Sequence, residues 1–427
     1  MLAMIRRSHR RVAVIALTLP TLWGCNELLE VKAPTQILAT TLDDPQKASL
    51  LLNSMIATFN CALGAYIVVS GELADLFTFV GGNAIRDKYD SRRMSSGLGY
   101  TSGYNGTVSC EGSFPADGSA IGSYANLQES RWFAEDIATK LEGWTDAQVT
   151  TGNRVQMLGR AQAYQGYGEL LLGEGFCTMA FNSGPELTRL QVFQAAEATF
   201  TKAIQNAQTA GDAQTRTFAT LGRARARLNA GKGAEAAADA ALVPAGFVER
   251  TEQSATDLFR QNQVFRQSWS VAFSSVEIFW RNYVHQGVAE PRIALVQRLS
   301  PREVWAPQKH PAATTGIPIA RHVEAQLILA EVQGGQNAVN IINQLHTAAG
   351  IPAFSSTDAT EIKNHVIEER SIELFAEGHR LGDLLRYNIP FRPPAGSPAP
   401  RADPTYGTDT CMPLPIQEVQ NNPNITR

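Results

Sequence analysis

Charged side chains that could take part in chemistry are concentrated in residues 369–386. If this segment is one helix, acids and bases meet at i, i+3 spacing in one strip, in the pairs Arg370/Glu373, Glu377/Arg380, Arg380/Asp383 and Asp383/Arg386. Two of the acids, Glu373 and Glu377, are also i, i+4 neighbours, a spacing suited to a carboxylate pair for general acid–base catalysis. Each carboxylate has an arginine within reach that keeps it ionised, so we interpret the strip as a structural ion network.

Motifs of the common enzyme classes are absent from the sequence: HExxH, GxSxG, GxGxxG, the Walker loop and the EF-hand loop do not occur. The histidines show no metal-ligand spacing and are dispersed at His9, His285, His310, His322, His346, His365 and His379. We therefore predict no catalytic residue, no cofactor and no metal site. Helical glycoside hydrolases use two carboxylates without a short motif, so they remain the enzymatic alternative.

The first 24 residues have the composition of a signal peptide. They contain four arginines and no acid, and a mostly apolar run follows from Val12 to Trp23. Twelve residues span ~18 Å as a helix, short of the ~30 Å hydrocarbon core of a bilayer, so a permanent membrane helix is disfavoured. We predict that residues 1–24 are cleaved.

The cleavage region, Leu22-Trp23-Gly24-Cys25, resembles a bacterial lipobox, although a small residue is usual where Trp23 stands. We predict that Cys25 is acylated and becomes the N-terminus of the mature chain. An extended tether over residues 25–41 would then lead to the folded body. The alternative is an ordinary secreted protein in which Cys25 has no special role.

Four cysteines remain after Cys25, and an exported chain meets an oxidising compartment. Four cysteines allow three pairings. We favour Cys61–Cys110, which would close the longest polar loop, together with Cys177–Cys411, which would fix the C-terminal tail to a central helix. Four buried free thiols are the alternative.

The net charge limits the class of partner. The sequence has 37 basic and 40 acidic residues and a net charge of −3, which argues against a nucleic-acid partner. With 44% hydrophobic and 18% charged residues, the composition is that of a globular protein.

Helical periodicity dominates the elements that must position these residues. An apolar stripe beginning at Ala48 predicts a first helix, and a second helix is predicted over 65–79. Further along, Phe193, Ala196, Phe200 and Ala203 are spaced +3, +4, +3, which matches the second helix of a tetratricopeptide (TPR) hairpin.

Similar helix pairs are predicted over about 124–245 and 319–388. We therefore expect a mainly α fold, a degenerate TPR-like helical-hairpin solenoid with little β structure. The pattern breaks down in two irregular insertions, 81–123 and 246–318, which are long enough to carry function.

Four separated stretches resemble the SusD/RagB family: Cys25 to Val31, Ala325 to Pro352, Glu369 to Arg386, and Leu414 to Asn424. The third is the most specific and contains the pattern Glu369-Arg370-x2-Glu373-Leu374-x2-Glu377-Gly378-His379-Arg380-x2-Asp383-Leu384-x-Arg386. The resemblance implies one SusD-like helical domain over residues 42–427, with a divergent middle.

Members of this family are outer-membrane lipoproteins that capture nutrients for a TonB-dependent transporter. The resemblance implies a non-catalytic, lipid-anchored, surface-exposed protein whose partners are a SusC-like transporter and a nutrient, by default a glycan and in some relatives a peptide. A TPR-like scaffold that binds only proteins is the alternative. Family ligand residues lie in loops corresponding to the two insertions, where we expect aromatic platforms and polar donors at Arg86, Tyr89, Tyr100, Tyr104, Trp280 and Tyr283.

Overall fold

The computed structural model describes residues 42–82, 86–95, 123–258, 260–401 and 403–425. Several sequence predictions fall outside these described residues: the signal peptide, the tether with Cys25, and Tyr100, Tyr104 and Cys110 of the first insertion. Residues Asp43–Arg427 form one unit.

The first helix, α1 (Ala48–Leu73), is a core element of this unit. A 3₁₀ turn, Pro45–Lys47, leads into it, and the Asp44 carboxylate accepts the backbone N–H of Gln46 at 2.9 Å. The helix is long and apolar enough to span a membrane, but most of its side chains are buried inside the protein.

The prediction of a separate helix over 65–79 is wrong. Every residue from Thr58 to Leu73 is buried, so this half of α1 has no polar face whose periodicity could mark its course. The helix ends at Leu73 because the next apolar residues, strand β1 (Phe77–Phe79), pair antiparallel with β5 (Ser274–Val276). A single turn, α2 (Asp87–Asp90), follows.

Five consecutive helices build the scaffold beside α1, each packed on the next along the chain: α3 (Tyr124–Gly143), α4 (Arg154–Gly175), α5 (Arg189–Thr209), α6 (Ala213–Asn229) and α7 (Gly233–Ala240). Side chains of Asn153, Thr188 and Asp212 cap the N-termini of α4, α5 and α6. The four residues of the TPR-like pattern in α5, Phe193, Ala196, Phe200 and Ala203, are all buried.

The close packing around α5 depends on glycine. A Cβ added at Gly166 of α4 or at Gly222 of α6 would lie 2.7 Å or 2.4 Å from the ring of Phe200. Phe200 therefore occupies space that larger residues on both neighbouring helices would fill.

The C-terminal part contains a second helical group. Two short turns come first, α8 (Gln263–Phe265) and a π-helical turn, Arg266–Ser270. The remaining helices are α9 (His322–Gln333), α10 (Gly335–Ala349), α11 (Ala359–Glu373), α12 (Arg380–Arg386) and α13 (Ile416–Asn421). Helices α9, α10 and α11 share an apolar cluster that includes Ala330, Ile342 and Val366.

The described β structure consists of two-stranded antiparallel sheets. Most strands lie in residues 246–321, which comprise the second insertion and the residues that lead from it into α9. One pair, β1 with β5, is given above. The other pairs are β2 (Thr178–Met179) with β3 (Leu187–Thr188), β4 (Val248–Arg250) with β10 (Pro318–Arg321), β6 (Val284–His285) with β7 (Val288–Ala289), and β8 (Leu295–Arg298) with β9 (Val304–Pro307).

A disulfide joins Cys177, just after α4, to Cys411 in the C-terminal tail, the pairing that we favoured. The backbone continues this contact, because Cys177 N–H donates to the carbonyl of Met412 at 3.0 Å. Cys61 on α1 is also disulfide-bonded. Its favoured partner, Cys110, lies outside the described residues.

The prediction of a charged strip along one helix is wrong. Helix α11 ends at Glu373 and α12 begins at Arg380, because the backbone between them takes positive φ angles at Ala376 (55°) and Gly378 (88°). Of the four predicted pairs, the i, i+3 ion pair Asp383–Arg386 is present, with a distance of 3.0 Å.

The other charged residues of the strip pair with distant partners. Arg370 binds Asp383 across the turn at 3.0 Å, Glu373 and Glu377 bind Arg321 at 2.9 and 3.0 Å, and Arg380 binds Asp75 at 2.6 Å. The strip is therefore an ion network, as interpreted, but one that links separate segments of the chain.

We predict that Arg380 is energetically coupled to Asp75 more strongly than to Asp383. In double-mutant cycles measured by urea unfolding, the pair Arg380→Ala and Asp75→Ala should show a coupling energy of about 1–3 kcal/mol. The cycle with Asp383→Ala serves as the control and should give a smaller value. Equal or stronger coupling to Asp383 would contradict this and support the strip along one helix that the sequence predicted.

We also predict a pH-dependent effect of Glu169, which is buried in α4 and accepts a hydrogen bond from Gln165 at 2.9 Å. Burial is the largest cause that raises its pKa, from 4.5 to about 7. Between these pH values the folded state holds a proton that the unfolded state lacks, so stability falls as pH rises. Glu169→Gln removes this loss, and its advantage in free energy of unfolding should grow by about 2–3 kcal/mol from pH 5 to pH 8.

The matched control is Glu235→Gln at an exposed position of α7. The change in its stability between pH 5 and pH 8 is the baseline against which Glu169→Gln is compared. An advantage of Glu169→Gln that is the same at pH 5 and pH 8 would show that Glu169 is ionised across this range.

Candidate functional site

Two predicted ligand residues of the first insertion, Arg86 and Tyr89, lie in the core, and their predicted ligand role is wrong. Arg86 is fully buried and forms an ion pair with Glu72. It also donates to Gln267 Oε1 and to Ser274 Oγ, both at 2.6 Å. Tyr89 is only 2% exposed. The guanidinium of Arg86, which we expected to be exposed in the insertion, is instead paired with a buried carboxylate.

The predicted residues of the second insertion, Trp280 and Tyr283, are neighbours, with ring centroids 5.8 Å apart and planes tilted by 33°. Tyr283 is partly exposed and donates its hydroxyl to Glu368. Trp280 is 4% exposed, and its Nε1–H donates to the carbonyl of Asp75 at 2.6 Å. The prediction that Trp280 contacts a ligand with its ring face is therefore wrong, since the residue forms the buried base of the site.

Residues that the sequence did not single out lie next to these two rings. Phe279 is partly exposed beside Trp280, and Ile278 is 65% exposed. Arg392, from the proline-rich segment after α12, lies over both rings, with its Cζ 4.7 Å from the centroid of Phe279 and 5.6 Å from that of Trp280. We call Phe279, Tyr283 and Arg392, with Trp280 beneath them, the aromatic–arginine surface.

Asp75 holds this surface in place. Its side chain is fully buried, and it accepts Arg380 Nε at 2.6 Å and Arg392 Nε at 2.8 Å. Burial would raise the pKa of Asp75, but the two guanidinium groups outweigh it and hold the pKa below its usual value. Arg392 keeps 44% of its side chain exposed, so it can also reach a ligand.

The chemistry available at this surface is that of binding. Burial, reinforced by Glu368, raises the pKa of Tyr283, so its hydroxyl stays protonated at neutral pH. Flat aromatic rings offer apolar contact, and the guanidinium offers hydrogen-bond donors. Asp75 is an anion engaged by two arginines, which makes it unsuited to act as a general acid.

A second cleft, of about 420 Å³, is lined by both members of the carboxylate pair considered in the sequence, Glu373 and Glu377. Burial would raise the pKa of Glu377, but Lys309 and Arg321 outweigh it and lower the pKa. Glu373 is bound by Arg321 at 2.9 Å and Arg292 at 3.2 Å. The pair is therefore occupied by cations from other segments, and these contacts favour the structural interpretation over the catalytic one.

The expectation that the histidines form no cluster is wrong. Ligand atoms of His285, His346 and His365 all lie within 4.8 Å of one another, and all three residues are buried. They come from β6, α10 and α11, so no local spacing in the sequence could reveal them. The cluster adjoins the aromatic–arginine surface, because Glu368 accepts the Tyr283 hydroxyl and lies 3.2 Å from His365 Nδ1.

The C-terminal part of this chain is similar in sequence to known proteins. Residues 313–427 match the model of the SusD family. This part of the chain resembles the SusD/RagB family. A curated relative, SusD-like protein P38 from Formosa agariphila, is 33% identical over 87 residues, and this match spans only 17% of the relative's length and 17% of this chain.

Solved structures extend the likeness to the fold of most of the chain. A SusD homologue from Bacteroides thetaiotaomicron matches with a TM-score of 0.65 at 14% identity, covering 90% of this chain and 97% of that one. A laminarin-binding SusD-like protein matches with a TM-score of 0.57 at 13% identity, covering 88% of this chain and 98% of that one. The predicted mainly α, SusD-like fold is confirmed.

Proposed function

We propose that this protein is a non-catalytic glycan-binding lipoprotein of the outer membrane. Acylated Cys25 anchors it, the tether of residues 25–41 leads to the folded body, and a SusC-like TonB-dependent transporter receives the captured glycan. The aromatic–arginine surface is the observation that carries this proposal.

The surface has the two properties that sugar recognition needs. The faces of sugar rings are apolar and pack against aromatic side chains, here Phe279 and Tyr283. Sugar hydroxyls need donors, and Arg392 supplies them. Its Nε and Nη2 bind Asp75, while Nη1 has no partner among the described residues. Because Asp75 fixes this guanidinium before a ligand arrives, little side-chain entropy is lost on binding.

Two solved neighbours support a carbohydrate as the ligand. One is the laminarin-binding SusD-like protein, and another is a SusD-like carbohydrate-binding protein from Bacteroides vulgatus, at a TM-score of 0.57 and 15% identity. The electrostatics support binding without turnover, because Asp75 and Glu377 are held as anions by arginine and lysine. Hydrolysis of a glycoside needs a protonated carboxyl group next to the leaving oxygen.

We predict that Phe279→Ala and Arg392→Ala each weaken glycan binding by the full chain at least about tenfold, a loss of about 1.4 kcal/mol. A glycan array and a peptide array identify the ligand, and calorimetry measures its affinity. Arg392→Ala should remain folded because Asp75 keeps its ion pair with Arg380. Thermal unfolding of each variant checks this.

Matched controls are Phe181→Ala and Arg189→Ala, which change partly exposed residues of two other arginine–aromatic contacts outside the surface, Arg131 over Phe181 and Arg189 over Phe193. These variants should bind the glycan as the natural protein does. Binding of peptides alone would refute a glycan ligand, and cleavage of the bound glycan would identify a hydrolase. Binding to neither array would favour the protein-binding scaffold.

We predict that the protein works as the outer part of a transporter complex. Extraction with a mild detergent and pull-down of the protein should recover a large β-barrel protein in near-equal amount. A permanent cap should bury well over ~2,000 Å² in total. Cys25→Ala should release the protein from the outer-membrane fraction. A monomer in native extracts, with glycan uptake unchanged after deletion of the gene, would refute the complex.

A further inference from the structure

We propose that His285, His346 and His365 form a binding site for a divalent transition-metal ion of the zinc class. The three imidazoles converge from β6, α10 and α11, and their ring centroids lie 4.6, 5.2 and 5.4 Å apart. Neutral imidazole nitrogen is a preferred ligand of Zn²⁺, Co²⁺, Ni²⁺ and Cu²⁺, whereas Mg²⁺ and Ca²⁺ prefer oxygen. This inference does not depend on the proposed glycan-binding function.

The spacing of two of the nitrogens fits a single ion, and the third lies within 4.8 Å of both. His346 Nε2 and His365 Nε2 are 3.4 Å apart. Two nitrogens bound to one tetrahedral ion at ~2.0–2.1 Å are separated by roughly 3.4 Å. Three histidines with a fourth position left for another ligand are also a known arrangement for zinc.

Two of the imidazoles are oriented for this role by contacts at their other nitrogen. His346 Nδ1 lies 2.6 Å from the carbonyl oxygen of Pro352, and His365 Nδ1 lies 3.2 Å from Glu368 Oε2. Both oxygens can only accept, so each Nδ1 carries the proton, and in the neutral ring Nε2 presents its lone pair. Such outer contacts are typical of metal-binding histidines.

The third histidine supplies an independent observation. His285 is only 7% exposed, and its Nε2 is buried with no hydrogen-bond partner among the described residues. A buried polar atom without a partner destabilises a folded protein and is rare. A proton shared by His346 Nε2 and Glu369 Oε1, 2.9 Å apart, would account for that contact alone and would leave His285 unpartnered. An ion bound by all three rings accounts for both.

Nearby charge favours a cation. Glu369 Oε1 lies 2.9 Å from His346 Nε2 and 3.9 Å from His365 Nε2, close enough to serve as a fourth ligand. The opposing guanidinium, Arg292, is bound by Glu369 at 2.7 Å and by Glu290 at 2.8 Å. Glu368, 3.2 Å from His365 Nδ1, adds a third carboxylate beside Glu369 and Glu290.

Binding would fasten three segments of the chain to one another. The β6–β7 hairpin carries His285 and directly follows Tyr283 of the aromatic–arginine surface, while α10 and α11 belong to the helical body. An ion at the cluster would therefore fix the hairpin, and with it Tyr283, against the helices.

The test uses the full chain without a histidine tag, stripped with EDTA and titrated with Zn²⁺ in a calorimeter and with Co²⁺ in the visible spectrum. We expect one ion per chain and the intense visible bands of four-coordinate cobalt. His285→Ala and His365→Gln should each weaken binding at least tenfold. The matched control, His322→Ala, removes a histidine outside the cluster and should leave binding unchanged.

X-ray absorption of the Zn²⁺-loaded natural protein gives a second measurement that does not depend on whether the variants fold. We expect a zinc shell with three imidazole nitrogens. The proposal is overturned if the folded natural protein binds no Zn²⁺, if His285→Ala binds it as tightly as the natural protein, or if the shell contains fewer than three imidazoles.

Discussion

The buried carboxylate of Asp75 joins the segments on which the rest of the site depends. Asp75 lies two residues after α1, the helix that anchors the core. Its side chain accepts Arg380 of α12 and Arg392 of the proline-rich segment, and its backbone carbonyl accepts the indole of Trp280. A fully buried carboxylate is tolerated only when it is paired and hydrogen-bonded, so these partners are held together as a group.

This constraint explains why an irregular insertion can carry a defined surface. Residues near Trp280 have little regular structure, only a 3₁₀ turn, Ile278–Trp280, and the two-residue strands β6 and β7. Their position comes instead from Trp280, which is anchored on Asp75 and packs against Phe375 at 5.6 Å between ring centroids. The helical scaffold supplies rigid attachment points, and the insertion supplies the exposed aromatic rings.

The sequence predicted what depends on local spacing. Amphipathic periodicity located the scaffold helices, and the alternation of Ala and Phe in α5 identified a buried face that includes Phe200. The pairing of Cys177 with Cys411, which we favoured because it would fix the C-terminal tail to a central helix, is present. The uniformly apolar half of α1 gave no periodic signal, and its end was misplaced for that reason.

The site itself depends on contacts between distant residues, and there local rules failed. The i, i+3 rule assumed a helix that the positive φ of Ala376 and Gly378 interrupts, and the true partner of Arg380 is 305 residues away. Residue types suggested aromatic and arginine ligands. However, Trp280 is buried whereas its neighbour Phe279 is partly exposed, and composition does not reveal this difference. The histidine cluster joins three elements and has no local signature.

We propose that a glycan binds at the aromatic–arginine surface that Asp75 holds in place. Hydrogen–deuterium exchange of the full chain, with and without a saturating bound glycan, tests this most directly. We expect protection of the backbone amides in residues 278–283 and 391–392, with little change in the scaffold helices α4 to α6. Protection confined to the charged cleft around Glu377, or to the scaffold helices, would contradict it.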